Sequence, residues 1–437
     1  MRRTFYFVII GVLLRCVFVT TAHAATITVT NSNDSGPGSL RQALVDANAG
    51  DTIAFAVTGA IVLTSGGLVI DKEITISGPG SDQLAIDGNH AQFQCVFGIA
   101  AHNTVTISGL TITNGDCGIY SDHATLAVSN CVVTRNNGES SVGGIGINDV
   151  HGPAAPIERG NPREAYADHP AGFATLTVAN CVISDNSGSG VGNDSAGVTI
   201  INSTISRNSV GGSGGGAGGG IYTGGGKFPG NLMVINSTIS GNFAFYDGGG
   251  IYCGFSGLTV VNSTISDNSA GDFGGGILIG GGILNGFSSS IANSTLSGNS
   301  AGSGGGIYNG GSLEVYCTIL NAGASGENIF NDGGMVTSHG YNISSDNGSG
   351  LLTGPGDQIN TDPLLGPLRD HGGPTLTHVP LRGSPAIDAG DPEFTPPPDH
   401  DQRGSCFYRV FGSRIDVGSV ETQLRPRCVT PAPRPRP

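Results

Sequence analysis

The sequence contains no tryptophan, and only two of its 19 basic residues are lysines, Lys72 and Lys227. Acidic residues number 33, so the formal net charge is −14. A surface without a basic stripe argues against a nucleic-acid partner. An acidic protein surface is also a poor match for an anionic membrane, because the two charges repel each other.

Long apolar runs are missing after the N-terminus, where the sequence reads MRRTFYFVIIGVLLRCVFVTTAHA. Two arginines precede an apolar stretch at 5–19, and Ala22-His23-Ala24 follows as a small-residue cleavage site. This pattern predicts a secretory signal peptide over residues 1–24. No later stretch approaches the 18 apolar residues of a transmembrane anchor. We therefore expect a secreted or cell-surface protein.

Helical periodicity is also scarce, and a short repeat takes its place. The stretch LTVVNSTISDNSAGDFGGGIL at 258–278 has close relatives along the chain. Judged from Asn180, Asn202, Asn236, Asn262 and Asn293, the pattern returns every 22 to 34 residues. Related segments begin at Leu126, Leu176, Val198, Leu232 and Ser290. A unit this small cannot bury its own apolar face, so neighbouring units must stack as in a solenoid.

Each repeat predicts about three short strands. Leu258 and Val260 alternate with Thr259 and Val261, residues 263–266 form a second strand, and the GGGIL stretch enters a third. A parallel β-helix fits this pattern, with each strand pairing with its equivalent about 4.8 Å away in the next coil. The fold class predicted is all-β: a parallel β-helix with a short N-terminal capping helix and an irregular C-terminal domain.

Asparagine recurs at one position of the repeat, between the first two strands. A corner there needs a residue that tolerates the left-handed backbone region, as Asn and Gly do. Stacked Asn side chains can also hydrogen-bond from coil to coil. Four of these residues match the N-glycosylation acceptor NST, but a structural ladder is the favoured interpretation. The ladder comprises Asn130, Asn180, Asn202, Asn236, Asn262 and Asn293.

Three segments resemble known bacterial families. The ISDNSA…GGGIL and LSGNSAGSGGGIY pairs resemble the polymorphic outer membrane protein repeat in a relaxed form. Residues 34–55, DSGPGSLRQALVDANAGDTIAF, resemble the N-terminal cap of secreted right-handed β-helix proteins. Residues 354–391, with DQRG at 401–404 and IDVGSVE at 415–421, resemble the choice-of-anchor Q domain. The resemblance implies a right-handed, pectin lyase-like β-helix at or near a bacterial cell surface.

These features predict a domain order. A signal peptide (1–24) precedes an N-terminal cap (25–60), which contains a helix with Ser39 as N-cap and Gly50 as its stop. The β-helix follows at 61–350, interrupted by an inserted loop at 139–173. A choice-of-anchor Q-like domain (351–424) and a Pro/Arg-rich tail (425–437) complete the chain.

Eight cysteines remain after the signal peptide, and an even number in an exported protein suggests disulfides. Cys131, Cys181 and Cys317 share a repeat position with serines, which indicates a packing role. Cys406 and Cys428 lie in an irregular region and are the candidates for a disulfide.

The insertion interrupts the repeat with a polar, proline-containing stretch, and insertions on solenoids often carry function. It could hold a carbohydrate or metal site, or it could be a solvated excursion. The candidate ligand-binding residues are His151, Glu158, Arg159, Arg163, Glu164, Tyr166, Asp168 and His169.

Two further sets of charged residues are weaker candidates. Oxygen clusters suit calcium, which makes Asp388, Asp391, Asp399 and Asp401 a possible calcium site, or else simple turn formers. The variable residue of the repeated S-x-N stretch would line up along one edge, as catalytic Asp and Arg residues do in pectate-lyase-like enzymes, or form a solvated charged edge. That edge comprises Arg135, Asp185, Arg207, Gly241, Asp267 and Gly298.

No catalytic set can be named from the sequence, and no cofactor beyond a possible calcium ion. The leading hypothesis is a monomeric, non-enzymatic surface or extracellular protein that binds polysaccharides or cell-surface glycans, like an adhesin. The alternatives are a polysaccharide lyase or glycoside hydrolase acting beside the insertion, and a purely structural coat protein.

Overall fold

The computed structural model describes residues 24–90, 94–149, 174–212, 215–224, 230–254, 256–280 and 288–423. Across these ranges the chain winds through three parallel sheets, called sheets A, B and C here, with elements numbered along the chain. A strand of sheet A is followed by one of sheet B and then by one of sheet C, and the next coil repeats the order. The predicted parallel β-helix is confirmed.

Sheet A has 12 strands in the described ranges. They are β1 (Thr26–Val29), β2 (Thr52–Phe55), β5 (Ile74–Ser77), β8 (Thr104–Ser108), β11 (Thr125–Ser129), β14 (Thr175–Ala179), β17 (Gly197–Ile201), β21 (Asn231–Ile235), β25 (Gly257–Val261), β29 (Ser288–Ala292), β32 (Ser312–Tyr316) and β35 (Met335–Gly340).

Sheet B has 11 strands in the same ranges. They are β3 (Gly59–Val62), β6 (Leu84–Asp87), β9 (Thr111–Thr113), β12 (Val132–Thr134), β15 (Val182–Ser184), β18 (Thr204–Ser206), β22 (Thr238–Ser240), β26 (Thr264–Ser266), β30 (Thr295–Ser297), β33 (Ile319–Asn321) and β36 (Ile343–Ser344).

Sheet C has 13 described strands, three of which are short side strands. Its main path is β4 (Leu68–Ile70), β7 (Cys95–Ile99), β10 (Cys117–Asp122), β13 (Asn137–Asn148), β16 (Ser187–Asp194), β20 (Ile221–Gly224), β24 (Ile251–Cys253), β28 (Ile277–Ile279), β31 (Ile307–Asn309) and β34 (Ile329–Asn331). The short strands are β19 (Ser209–Val210), β23 (Phe243–Ala244) and β27 (Ser269–Ala270).

The structure differs from the prediction in two respects. Three later coils have an extra short strand (β19, β23 and β27), because the residues after the S-x-N corner also pair with their equivalents. The inserted loop begins later than residue 139, since β13 continues to Asn148. Two register shifts between β13 and β16 accommodate the extra residues of β13, as bulges do in other sheets.

The core is a column of aliphatic side chains between the three sheets. In β25, Leu258 and Val260 are fully buried while Thr259 and Val261 are only partly covered, the period-two pattern of a strand with one inward face. Burying each such side chain contributes roughly 1.5–3 kcal/mol.

One α-helix is present in the described residues, α1 (Leu40–Asp46), and it covers the first coil. The Ser39 hydroxyl accepts a hydrogen bond from the Gln42 N–H, which confirms the predicted N-cap. Leu40, Ala43 and Leu44 are buried. The predicted stop at Gly50 is wrong, because the helix ends at Asp46 and Ala47 is already extended. This helix is too short to cross a bilayer, and the described residues contain no membrane-spanning helix.

The repeated asparagines occupy the corner between sheets A and B in the left-handed conformation. We call these six residues the corner row; their φ angles lie between 48° (Asn293) and 54° (Asn180). Their side chains do not form the coil-to-coil ladder. Asn262 instead donates to the His400 carbonyl, and Asn293 accepts from Arg409, so some of them hold the C-terminal region.

The asparagine ladder runs through a different repeat position, between sheets B and C. We call it the interior row: Asn136, Asn186, Asn208, Asn242, Asn268 and Asn299. From Asn186 onward, each amide oxygen accepts from both the backbone N–H and the side-chain amide of the preceding row member. The amide oxygen of Asn136, the first member, accepts from the Gly115 N–H. All six are at most 2% exposed, so the row satisfies buried backbone groups at every corner.

The cysteines confirm the packing interpretation for the described part of the chain. Cys131, Cys181, Cys253 and Cys317 are buried free thiols. A disulfide not anticipated from the sequence joins Cys95 of β7 to Cys117 of β10, one coil apart. Cys406 is also disulfide-bonded, whereas Cys428 lies outside the described residues.

Residues 351–423 form the predicted irregular region and contain no strand. They lie on the outer face of sheet B, where threonines of successive strands point outward. The Gln402 amide oxygen accepts from Thr264 at 2.6 Å, and its amide nitrogen donates to Thr238 at 2.9 Å. Ser419 donates its backbone N–H to Thr295. This region therefore covers the C-terminal half of sheet B.

Candidate functional site

The residues singled out in the insertion lie outside the described residues. This applies to His151, Glu158, Arg159, Arg163, Glu164, Tyr166, Asp168 and His169. A ligand site there therefore stays a prediction.

The structure does not gather the four candidate calcium ligands around one point, and the described residues contain no group of three acidic, His or Cys side chains placed to hold a metal. Asp401 is fully buried in an ion pair with Arg403 at 2.6 Å. Asp391 accepts from the Tyr316 hydroxyl, and the backbone N–H of Asp388 donates to Asp416. The backbone carbonyl of Asp399 accepts from the Arg409 N–H.

The charged edge forms as a line of left-handed corner residues, and two of its members, Asp185 and Arg207, pair with each other. Arg207 makes two hydrogen bonds to Asp185, at 2.7 and 2.8 Å, and both side chains are largely exposed. Arg207 holds the pKa of Asp185 below its usual value. Paired in this way, neither group is available as a catalytic base.

A histidine lies between two acids at the start of the insertion. His123 Nδ1 is 2.8 Å from Asp122 and its Nε2 is 3.9 Å from Asp149. Asp122 and Asp149 are both buried. With a carboxylate near each ring nitrogen, the imidazole is held rather than directed at a substrate.

The strongest surface feature is a group of exposed aromatic residues on two consecutive coils. Phe243, Phe245 and Tyr246 are 41%, 49% and 41% exposed, and Phe273 of the next coil is 40% exposed. We call these four residues the aromatic corner. Among the exposed aromatic side chains of the described residues, only Tyr408 lies elsewhere. Concentrated exposed apolar surface of this kind marks an interaction site.

Glycines of the preceding coil make room for these rings. A Cβ atom at Gly212 would lie 2.8 Å from the Phe245 ring, and one at Gly216 would lie 2.8 Å from the Tyr246 ring. Side chains at either position would displace the aromatic residues. The Gly-rich stretch at 211–220 is therefore part of the corner's architecture.

Sheet C continues this surface with a row of outward side chains in register. Gly192, Tyr222, Tyr252, Leu278, Tyr308 and Phe330 pair in that order across successive strands. The Tyr222 and Tyr252 rings stack with centroids 5.2 Å apart, and Tyr308 and Phe330 stack at 5.4 Å. Phe273 contacts Tyr308 at 4.8 Å, which joins the aromatic corner to the row.

Carboxylates lie among these rings. Asp247 follows Tyr246 directly and pairs through the backbone with Phe273. Burial and the negative charge of Asp272 raise its pKa. Its Oδ1 is buried and has no hydrogen-bond partner within the described residues. At the far end, Tyr308 donates to Asp332 at 2.5 Å.

The charge around the site has one sign. Residues 209–334 contain six acidic residues and one basic residue, Lys227, which lies outside the described residues. A ligand at this surface therefore meets hydrogen-bond acceptors and a negative potential.

Sequence reasoning missed the aromatic corner. The stretch FAFYD at 243–247 was a usable signal, since it puts three aromatic residues and an acid where the repeat at 300–304 carries only small residues.

The comparisons with known proteins agree with the architecture. Residues 166–318 match the family model described as a right-handed β-helix region. No curated protein sequence matches significantly. Among solved structures, the pectate lyase Pel9A superposes with a TM-score of 0.54 at 15% identity, over 91% of this chain and 96% of that one. At that identity the likeness shows the fold alone.

A second solved structure, ORF18 of Geobacillus virus E2, gives a TM-score of 0.48 at 13% identity over 71% of this chain and 61% of its own. A score at that level carries no argument. The family match and the pectate lyase likeness show that the chain folds as a right-handed parallel β-helix.

Proposed function

We propose that this protein is an exported or cell-surface β-helix protein that binds polysaccharides through the aromatic corner and the adjoining row of sheet C. The observation that carries the proposal is the concentration of exposed aromatic side chains beside carboxylates. Aromatic residues supply rigid apolar contact area, and carboxylates accept hydrogen bonds from hydroxyl groups.

Several features support the location. The N-terminal 24 residues have the pattern of a signal peptide, and the Cys95–Cys117 disulfide suits an oxidising compartment. The C-terminal resemblance to the choice-of-anchor Q domain supports a location at or near a bacterial surface. The favoured role is a binding module, because the charged candidates of the repeat edge and of the C-terminal region are held in the ion pairs Asp185–Arg207 and Asp401–Arg403.

Affinity electrophoresis and pull-down on a panel of neutral, acidic and amino polysaccharides would test the proposal. We expect retention by the wild type and at least a tenfold weaker interaction for the Phe245→Ala/Phe273→Ala double variant. Tyr408→Ala is the matched control, since Tyr408 is equally exposed, at 44%, but lies in the C-terminal region. Equal losses from both variants would contradict the site.

Product analysis of the same mixtures addresses the enzymatic alternative. Release of unsaturated or reducing-end oligosaccharides would make the protein a lyase or hydrolase. If the protein is not retained by any polysaccharide of the panel and cleaves none of them, a structural coat role is favoured.

A further inference from the structure

We propose that the aromatic corner selects polysaccharides whose sugars carry protonated primary amines; this deepens the glycan-binding function above and rests on it. The inference starts from the sign of the charge. Asp247 and Asp272 flank the aromatic corner, Asp332 lies at the end of the adjoining row, and the local sequence supplies a single cation.

The Asp247 carboxyl group is the central observation. One of its oxygens is buried without a partner among the described residues, although buried polar atoms are normally hydrogen-bonded. Burial raises the pKa of the Tyr252 and Tyr308 hydroxyls, and the negative charge of Asp247 adds to this effect at both. A ligand that donates a charged hydrogen bond here would satisfy this oxygen and offset the repulsion from Asp272.

Aromatic rings beside these acids favour the same ligand chemistry. Ammonium groups are attracted to the faces of Phe and Tyr, by about 0.5–1 kcal/mol at exposed sites and more when desolvated. Polyuronates would instead bring a second set of negative charges to an acidic surface. Calcium could offset that repulsion, but the described residues hold no group of acids arranged for it.

The shape of the surface favours a polymer over a compact ligand. The outward row from Tyr222 to Phe330 crosses five strands, which is roughly 19 Å along the axis. Its repeat from coil to coil suits a chain of regularly spaced sugar units.

A matched pair of polymers provides the test: a glucosamine polymer and the same polymer fully N-acetylated, which differ in charge on one backbone. We expect the full-length protein to be retained on the free-amine polymer. Retention should weaken with added salt, because charge attraction is screened over about 10 Å at 0.1 M. Equal retention on the acetylated polymer, or on polygalacturonate, would overturn the amine selectivity and leave glycan binding intact.

Two double variants separate a specific site from general attraction between an acidic protein and a cationic polymer. Asp247→Asn/Asp272→Asn should lose roughly tenfold in affinity or more, while the control Asp267→Asn, which removes an acid from the charged edge, should not. Phe245→Ala/Phe273→Ala keeps every charge and should lose binding as well. If that variant binds like the wild type, the attraction is non-specific and the proposal is wrong.

A lysine-rich peptide is the last ligand in the retention experiment. Retention of the peptide without retention of any polysaccharide would overturn both the amine-sugar proposal and the glycan-binding function. It would make the corner a protein-docking surface.

Discussion

The corner row and the interior row contain the same amino acid in the same repeats, yet the two rows stabilise the fold in different ways. Corner-row asparagines adopt the left-handed backbone that turns the chain from sheet A to sheet B, and two of their amide oxygens, in Asn236 and Asn262, have no described partner. Interior-row asparagines are buried and hydrogen-bonded at both ends of the amide. An asparagine that recurs at one repeat position can therefore stabilise the fold through its backbone conformation or through its side-chain hydrogen bonds.

The interior row should be the more sensitive to mutation. In Asn242→Ala the Asn208 amide, the Asn208 N–H and the Ile205 carbonyl each lose a partner. Because each buried orphaned group costs about 1–3 kcal/mol, we expect a loss of about 3 kcal/mol or more in unfolding free energy. Urea denaturation, with hydrogen exchange to localise the effect to neighbouring coils, measures it.

Glu421 extends the comparison to a buried carboxyl group. Burial, followed by the charge of Asp416, raises its pKa from 4.5 to about 8. The folded state therefore keeps its proton where the unfolded state has lost it. Its contribution to stability is complete below about pH 4.5 and is lost as the pH rises to about 8.

We expect the midpoint of thermal unfolding of the C-terminal region to fall across that interval. Glu421→Gln should flatten the decline while costing some stability at low pH, since the carboxyl oxygens accept from the Phe411 and Asp416 N–H groups. An unchanged slope in the variant would assign the pH dependence to other groups.

Asn236 of the corner row should respond to backbone preference alone. Its φ is 50°, so Asn236→Ala replaces a residue that tolerates the left-handed region with one for which that region costs roughly 1–2 kcal/mol. Asn236→Gly should be near neutral, because glycine tolerates positive φ. Comparable losses for the alanine and glycine variants in chemical denaturation would mean that the side chain matters after all.

The exposed pair Asp185–Arg207 should have the smallest effect. An ion pair this open to solvent contributes at most about 1 kcal/mol. The pKa of Asp185 is lowered, so the contribution is present at neutral pH and lost as the pH falls through that lowered value. Asp185→Asn should change the free energy of unfolding little and should remove the salt dependence that this ion pair contributes. Denaturation at low and high ionic strength would show both effects.

Much of the fold was accessible from the sequence. The NST and GGGIY stretches predicted corners, and the alternation in residues such as Leu258 and Val260 predicted strands with one inward face. The Ser39 cap of α1 followed from local chemistry as well. The helix end was misplaced because Gly50 lies in a turn three residues past the Ala47 cap.

The candidate site was less accessible. Phe245 and Tyr246 are noticeable in the sequence, but their exposure depends on Gly212 and Gly216 in the previous coil. Asp247 becomes a binding candidate only because Phe273 and Asp272 of the next coil lie beside it. Neither relation can be read within a single repeat.

The sequence by itself determined the solenoid, its capping helix and its left-handed corners, since these depend on strand periodicity and on what each backbone position tolerates. The tertiary structure decided which asparagines interlock, which cysteines pair, which face the C-terminal region covers and where aromatic rings stay exposed. Those outcomes depend on the register between coils, which brings together residues 22 to 34 positions apart in the repeats. Contacts at that separation are set by how whole coils stack.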